Sequence, residues 1–272
     1  MESLKECLLA RAENGLIHLS IQTWAVQNFG LTFPAVEEAI LELNLLPARY
    51  QRNQRSLSCR QQLSLFRGKV AVIGCGGLGC YIIEELARLG VGHITVIDPD
   101  NYEEHNLNRQ LFSKVDNLGQ PKAAVAAVRI KEVNPAVTIV PVQDAFTSRN
   151  GSVLIEKVDV VADALDSIPR RLELAEVCEK CDIPLVHGSV GGWYGQVTTQ
   201  FPGEYTLQKI YSRHSGERGI EKDLGNLSFV VAMLASIEVA EIVKILLGEG
   251  STLRGKMLSL NLLDTEFTEI TF

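Results

Sequence analysis

Three glycines stand at the spacing of a phosphate-binding turn. The segment IGCGGLG places Gly74, Gly76 and Gly79 in a G-x-G-x-x-G pattern between an apolar run and a helical pattern. In such a turn, backbone N–H groups at a helix N-terminus approach a phosphate, and the helix dipole favours the anion. Asp98 follows Gly79 by 19 residues, at the end of the next apolar run, where a carboxylate can accept hydrogen bonds from ribose hydroxyls. These residues predict a nucleotide site and leave a dinucleotide and ATP equally open.

The next polar residues favour ATP. Asn106 and Arg109 lie in the segment HNLNRQLF, and Lys122 ends the segment GQPK. A site that transfers an adenylyl group must neutralise a triphosphate, whereas the site of an NAD-dependent oxidoreductase carries no such load. Two cations near the polyphosphate would stabilise the charge that develops on pyrophosphate as it leaves. An oxidoreductase would leave Arg109 and Lys122 without a purpose.

Two carboxylates in the segment VADALDS are candidates for binding Mg²⁺. Asp163 and Asp166 come at the end of a later apolar run, where a carboxylate can bind a metal ion that bridges the phosphates. Asp166 is the preferred ligand. The alternative is that Asp166 or Ser167 caps the helix that follows.

Alternating strands and helices must position these residues. A strand, the glycine turn, a helix and a second strand follow one another from Lys69 to Asp98, which is the pattern of a βαβ unit. The alternation continues to Val186 and fails after Gly188. We therefore predict an α/β fold, with a Rossmann-like, doubly wound, mostly parallel sheet and antiparallel C-terminal strands. The polar stretch 204–226 is predicted to be a mobile crossover loop.

The first 48 residues have a different pattern from the rest. We predict a small helical module at residues 1–48, with one helix opening at Ser20 and another after Pro34, and an ATP-binding adenylation domain at residues 49–272. The module shows no group of residues with a recognisable catalytic or ligand-binding pattern. It is interpreted as an element for packing or dimerisation, with recognition of a partner as the alternative.

Composition excludes several classes of partner. The net charge of −7 and pI of about 5.4, without a basic run, argue against nucleic acid and anionic membranes. The sequence shows no signal peptide, and the longest apolar stretch carries charges on one helical face, so no membrane span is expected. The six scattered cysteines are therefore predicted to be free thiols in a cytoplasmic protein.

These motifs occur together in one known family. The segments RYQRNQ, IGCGGLG, IDPDNYEEHNLNRQLF, GQPK and DALDS stand in order and at the spacing typical of the ThiF/MoeB/HesA group of ubiquitin-activating-like adenylyltransferases, which this chain resembles over about residues 48–250. The resemblance implies that Asp98 holds the ribose, that Asp166 binds magnesium, and that Arg52 reaches the ATP of the other subunit in a homodimer. It implies catalytic roles for Asp166, Arg109, Lys122 and Arg52, and nucleotide binding by Gly74, Gly76, Gly77, Gly79, Asp98, Asn106, Arg109 and Lys122.

The resemblance also implies a reaction and partners. The expected activity is ATP- and Mg²⁺-dependent adenylation of the C-terminal glycine carboxylate of a ubiquitin-like sulfur-carrier protein with a Gly-Gly tail. This step prepares the carrier for thiocarboxylate formation in thiamine or molybdenum and tungsten cofactor synthesis. A separate sulfurtransferase would then be a further partner.

The chain departs from the family at its cysteines. Many relatives hold zinc with two CxxC pairs, but Cys178 and Cys181 form a lone pair inside a predicted helix, so zinc is not expected. The crossover stretch 204–226 contains no cysteine to carry an acyl group or sulfur. His187 is interpreted as a structural residue, because a carboxylate nucleophile needs no base.

Alternative functions remain within the same superfamily. They are a tRNA threonylcarbamoyladenosine dehydratase, against which the acidic charge argues, a peptide-tailoring adenylase, and an inactive subunit of a heterodimer. Asp166, Arg109 and Lys122 would have no purpose in an inactive subunit.

Overall fold

The computed structural model describes residues 3–212 and 224–272, and the helices and strands within those ranges are as follows. The helices are α1 (Leu4–Arg11), α2 (Leu19–Phe29), α3 (Phe33–Glu42), α4 (Cys59–Arg67), α5 (Gly77–Leu89), α6 (Lys122–Val133), α7 (Gly151–Ile155), α8 (Ile168–Cys181), α9 (Thr206–Tyr211) and α10 (Ser228–Leu247). The strands are β1 (Leu16–Ile17), β2 (Leu46–Pro47), β3 (Lys69–Ile73), β4 (His93–Ile97), β5 (Thr138–Val142), β6 (Val160–Asp163), β7 (Leu185–Gly191), β8 (Tyr194–Gln200), β9 (Lys256–Asn261) and β10 (Glu266–Thr271).

An eight-stranded sheet organises the chain in the order β10-β9-β8-β7-β6-β3-β4-β5. Strands β5, β4, β3, β6 and β7 pair in parallel, and β8, β9 and β10 continue the sheet antiparallel. The α/β fold with a doubly wound, mostly parallel sheet and antiparallel C-terminal strands is therefore confirmed. The chain leaves β3 toward β4 on one side and returns to β6 on the other, and this switch point is where open α/β sheets bind ligands.

Helices cover both faces of the parallel strands, as their continuous apolar runs require. Because successive strand residues point to opposite faces, Val70 and Val72 of β3 face a core with α5, α6 and α10, while Ala71 and Ile73 face a core with α7, α8 and α9. No helix in the described ranges is long and apolar enough to cross a membrane.

Helices α1 to α3 precede this sheet and have a small core of their own. Strands β1 and β2 pair in parallel beside them. Helix α2 begins at Leu19 with His18 as its N-cap, so the expected cap at Ser20 is wrong. The reason is that β1 ends at Ile17 and the helix follows at once, which places Ser20 inside the first turn.

Tyr50 joins this N-terminal segment to the sheet domain. Its side chain is fully buried, its Oη donates to Glu37 Oε1 at 2.6 Å and accepts from Asn134 Nδ2 at 2.8 Å, and its ring packs against Gly90. Glu37 also pairs with Arg49. Polar and apolar contacts thus run continuously across the predicted boundary at residue 48, which stays a prediction.

Part of the predicted crossover loop at 204–226 is helical. Residues 206–211 form α9, because Leu207 N donates to Gln200 Oε1 at 2.9 Å and Leu207 packs into the core beneath α8. Residues 213–223, the middle of the predicted loop, lie outside the described residues.

Candidate functional site

A cavity of about 400 Å³ lies at the carboxyl ends of β3, β4 and β6. It occupies the switch point of the sheet, so the turns that follow these three strands converge on it. Residues from four separate sequence motifs line this cavity, and those that the sequence analysis predicted are Gly74, Gly76, Gly77, Asp98, Asn106, Arg109, Lys122 and Asp166.

The glycine turn is shaped by close backbone contacts. Gly74 has a φ of +101°, and a β-carbon there would lie 2.6 Å from Ala164 O. At Gly76, the N-cap of α5, the nearest atom to an added β-carbon is Gln110 Nε2 at 3.7 Å. The open side of Gly76 and the N-terminus of α5 therefore provide room and N–H groups for a phosphate.

Gly79 does not line the cavity, so its predicted role in nucleotide binding is not supported. It lies in the first turn of α5 behind the glycine turn, where an added β-carbon would be 1.9 Å from Gly74 O. Gly79 permits the helix to pack against the strand. The lack of a side chain at Gly79 is therefore a packing requirement of the turn.

Asp98 fixes the glycine turn to the end of β4. Its Oδ2 accepts from Cys75 N at 2.6 Å, and its Oδ1 accepts from Asp100 N at 2.8 Å. Burial raises the pKa of Asp98, and the nearby Lys122 opposes that shift. The carboxylate lines the cavity beside the glycine turn, where a ribose would be expected.

Lys122 and Asn106 bring polar groups to the opposite wall. Lys122 begins α6, its side chain is 8% exposed, and its Nζ lies 3.1 Å from Oδ2 of the exposed Asp100. The oxygen of buried Asn106 accepts from Glu103 N at 2.9 Å, so its NH₂ group is the part that can contact a phosphate.

Arg109 and Asp166 have opposite charges across the cavity mouth. Arg109 Nη1 donates to His105 O at 3.1 Å and to Asn108 Oδ1 at 2.8 Å. Burial lowers the pKa of Arg109, and the carboxylate of Asp166 opposes that shift. Asp166 is exposed on the turn between β6 and α8. It is therefore accessible to a metal ion and to phosphates.

The geometry fits Mg²⁺ at Asp166. Within residues 3–212 and 224–272, no three His, Cys, Asp or Glu side chains group into a metal site. Mg²⁺ commonly uses only one or two carboxylates and takes its other ligands from water and substrate phosphates. Ser167 is the N-cap of α8 and makes no side-chain capping hydrogen bond, so the capping alternative has no support there.

Asp163, the other candidate carboxylate, does not reach the cavity. It is fully buried, with Oδ2 at 2.7 Å from His187 Nδ1 and Oδ1 accepting from Leu165 N at 3.0 Å. His187 is also fully buried and lies behind the cavity wall. Asp163 therefore serves the interior of the protein.

Two buried polar residues in the lining were not expected from the sequence. Gln110 is 5% exposed, and its Oε1 has no hydrogen-bond partner among the described residues. Arg171 is 3% exposed on α8 and lines the cavity beside Asp166. Gln110 follows Arg109 by one residue, and Arg171 follows Asp166 by five residues. This closeness to predicted site residues was the only sequence signal that could have identified them.

Arg52 lies outside the cavity of its own chain. It is exposed on a 3₁₀ helix at Ala48–Asn53. Its predicted contact with the ATP of a second subunit stays a prediction.

The chain is similar in sequence to several proteins named as adenylyltransferases or activating enzymes. It is 35% identical over 211 residues to the SAMP-activating enzyme E1 of Haloferax volcanii, covering 76% of this chain and 78% of that one. It is 30% identical over 227 residues to the molybdopterin-synthase adenylyltransferase of Escherichia coli, covering 82% and 91%. Adenylyltransferase and sulfurtransferase MOCS3 of Xenopus laevis is 30% identical over 217 residues, which are 79% of this chain and 48% of that protein. The chain thus spans about half the length of MOCS3.

Solved structures show the same architecture. E. coli MccB superposes with a TM-score of 0.70 at 18% identity, covering 92% of this chain and 82% of MccB, and this likeness concerns the fold alone. The E. coli tRNA N6-threonylcarbamoyladenosine dehydratase gives a TM-score of 0.63 at 27% identity, covering 74% and 95%. The sequence profile of the ThiF family matches residues 50–272. This chain belongs to the ThiF family.

Proposed function

We propose that this protein, an adenylyltransferase, uses ATP and Mg²⁺ to adenylate the C-terminal glycine carboxylate of a ubiquitin-like sulfur-carrier protein. The observation that carries the proposal is the convergence of Arg109, Lys122 and Asp166 with the glycine turn on one cavity at the switch point of the sheet. The carrier would serve thiamine or molybdenum and tungsten cofactor synthesis.

The side chains of the cavity suit attack on an α-phosphate. The N-terminus of α5 would receive phosphate oxygens, and Asp98 would orient the ribose. Arg109 and Lys122 would stabilise the charge that develops on pyrophosphate, and this stabilisation together with alignment of the carboxylate supplies most of the rate. Mg²⁺ held by Asp166 would neutralise further phosphate charge.

A second cavity suits the entry of a carrier tail. It has a volume of about 510 Å³, lies along β7 and β8, and shares Arg171 and Val190 with the first cavity. Gly191 and Gly195 line it without side chains. An extended Gly-Gly tail could therefore lie on the strand backbones and present its carboxylate to the nucleotide.

We propose a homodimer in which Arg52 of each subunit completes the site of the other, since Arg52 is exposed and outside its own cavity. All six cysteines are free thiols, which fits a cytoplasmic protein. The stretch 204–226 contains no cysteine, so a separate sulfurtransferase or sulfide would act on the adenylate.

ATP–pyrophosphate exchange tests the proposal. Purified protein with Mg²⁺ receives an intact Gly-Gly carrier, the same carrier without its last glycine, or bulk tRNA. Exchange is expected only with the intact carrier, and Asp166→Asn should lower it by about 100-fold or more. Asp182→Asn is the matched control, because Asp182 is an exposed carboxylate at the opposite end of α8.

The second candidate is a tRNA dehydratase, favoured by the likeness to the E. coli dehydratase. The net charge of −7 disfavours it, because tRNA binding needs a basic surface. Release of AMP with tRNA alone, without exchange in the presence of the carrier, would replace the first proposal with this one.

A further inference from the structure

A chain of four buried side chains runs beneath the turn that carries Asp166. Arg171 Nη1 of α8 donates to Tyr211 Oη of α9 at 3.2 Å, and Tyr211 Oη lies 3.0 Å from His187 Nε2 of β7. His187 Nδ1 lies 2.7 Å from Asp163 Oδ2 at the end of β6. The four side chains are between 0% and 6% exposed. They connect four different elements in a single line.

One assignment of the hydrogen atoms satisfies every bond of this chain. The Asp163 carboxylate accepts, so His187 Nδ1 carries a proton and donates to it. With a neutral imidazole, Nε2 accepts from the Tyr211 hydroxyl, and Tyr211 Oη accepts from the Arg171 guanidinium. Every bond then points from Arg171 toward Asp163, and the Arg171 and Asp163 charges balance.

Both ends of the chain close on the same residue, Leu165. Leu165 N donates to Asp163 Oδ1 at 3.0 Å, and Leu165 O accepts from Arg171 Nε at 3.1 Å and from Nη2 at 2.9 Å. The first bond holds the peptide group before Leu165, and the other two hold the peptide group that joins Leu165 to Asp166. The backbone leading into Asp166 is therefore fixed on both sides.

We propose that His187 and Tyr211 are positioning residues that hold Asp166 in place for the metal ion by acting through Asp163 and Arg171. The inference rests on the proposed role of Asp166 in binding Mg²⁺. Neither His187 nor Tyr211 lines the nucleotide cavity, so their effect passes through Asp163 and Arg171, which hold the Leu165 backbone. Tyr211 also lines the second cavity. The position of α9 at that cavity would therefore affect the position of Asp166.

The test is ATP binding measured by calorimetry with Mg²⁺ and with EDTA, which needs no carrier. Tyr211→Phe keeps the ring and removes the bridging hydroxyl. We expect it to weaken Mg²⁺-dependent ATP binding by about tenfold or more, as loss of groups behind a metal ligand commonly does. ATP binding in EDTA should be unchanged. Tyr205→Phe, half-exposed just before α9, is the matched control.

A double variant separates positioning from a general loss of structure. If Tyr211 acts through Asp166, Tyr211→Phe should have no further effect on ATP binding in an Asp166→Asn background. His187→Asn, which can still donate to Asp163, should have a smaller effect than His187→Ala. Equal losses with Mg²⁺ and EDTA, or additive losses in the double variant, would overturn the inference. Failure of the wild-type protein to bind ATP more tightly with Mg²⁺ would instead overturn the proposed function.

Discussion

Glu238 is a buried carboxyl group whose effect on stability can be worked out with its sign. It lies on α10, is 0% exposed, and neither of its carboxyl oxygens has a hydrogen-bond partner among the described residues. A β-carbon on Gly188 would lie 2.1 Å from its Oε1, so the group is packed directly on β7. Burial first, and then the Asp163 carboxylate, raise the pKa of Glu238 well above 4.5, with Arg171 opposing.

This raised pKa makes the stability of the protein fall as the pH rises. Above pH 4.5 the unfolded chain releases the Glu238 proton while the folded chain keeps it, so folding takes up one proton. The free energy of unfolding therefore decreases by about 1.4 kcal/mol per pH unit from this group, until the folded pKa is reached. Below pH 4.5 the group contributes no such slope.

Glu238→Gln removes this proton uptake and keeps the shape of the side chain. We expect the stability difference, variant minus wild type, to increase between pH 5.5 and 6.5, by at most about 1.4 kcal/mol. Urea unfolding followed by tryptophan fluorescence at both pH values measures it, at one fixed protein concentration. A constant offset between Glu and Gln cancels in this comparison. Stability curves that stay parallel across this pH range would refute the assignment of a buried, protonated Glu238.

Four further predictions concern the site and the N-terminal junction. Gly79→Ala should lower the melting temperature more than Gly76→Ala does, because the new β-carbon at position 79 would lie 1.9 Å from Gly74 O. Gly76→Ala should mainly weaken ATP binding. Calorimetry measures the unfolding and the ATP binding of both variants. Lys122→Met should weaken ATP binding by roughly tenfold to a hundredfold, the worth of a charge-assisted hydrogen bond, and exposed Lys114→Met should not. Tyr50→Phe removes one hydrogen bond from buried Glu37 and one from buried Asn134, and it should lower the free energy of urea unfolding by about 1–3 kcal/mol, with Tyr205→Phe near zero. If sites are shared across a homodimer, mixing the inactive Arg52→Ala and Asp166→Ala proteins should restore about a quarter of the exchange activity. Half of the dimers are then mixed, and each mixed dimer holds one intact site out of two. No recovery after verified subunit exchange would place Arg52 outside the site.

The sequence was most informative where local pattern and topology agree. Gly74, Asp98 and Asp166 each stand just after an apolar run, and parallel strands bring their carboxyl ends to one edge of the sheet. The motif residues therefore converge on one cavity as predicted. The antiparallel C-terminal strands and the helix that contains Cys178 and Cys181 were also predicted correctly.

Other features depend on contacts that leave no local signal. The bond between Asp163 and His187 joins neighbouring strands 24 residues apart, so Asp163 could not be separated from Asp166 by its position in the motif. Helix α9 forms in a polar stretch because Gln200 Oε1, on the preceding strand, accepts a hydrogen bond from Leu207 N. Gly79 and Gly76 belong to one motif, and only the packing of α5 distinguishes them. A side chain at Gly79 would collide with the backbone at Gly74, whereas a side chain at Gly76 would point into open space.

The strand order has a consequence for how the protein is made. Strand β3 lies between β4, which follows it closely, and β6, which begins 87 residues after β3 ends. During synthesis, the glycine turn, Asp98 and Lys122 emerge as one continuous segment, well before Asp166 and Arg171. Helix α10, which packs on Gly77 through Val231, is later still. A nascent chain can thus assemble the half of the site that would bind phosphate before the half that would bind the metal ion. The complete site requires nearly the whole domain to have left the ribosome.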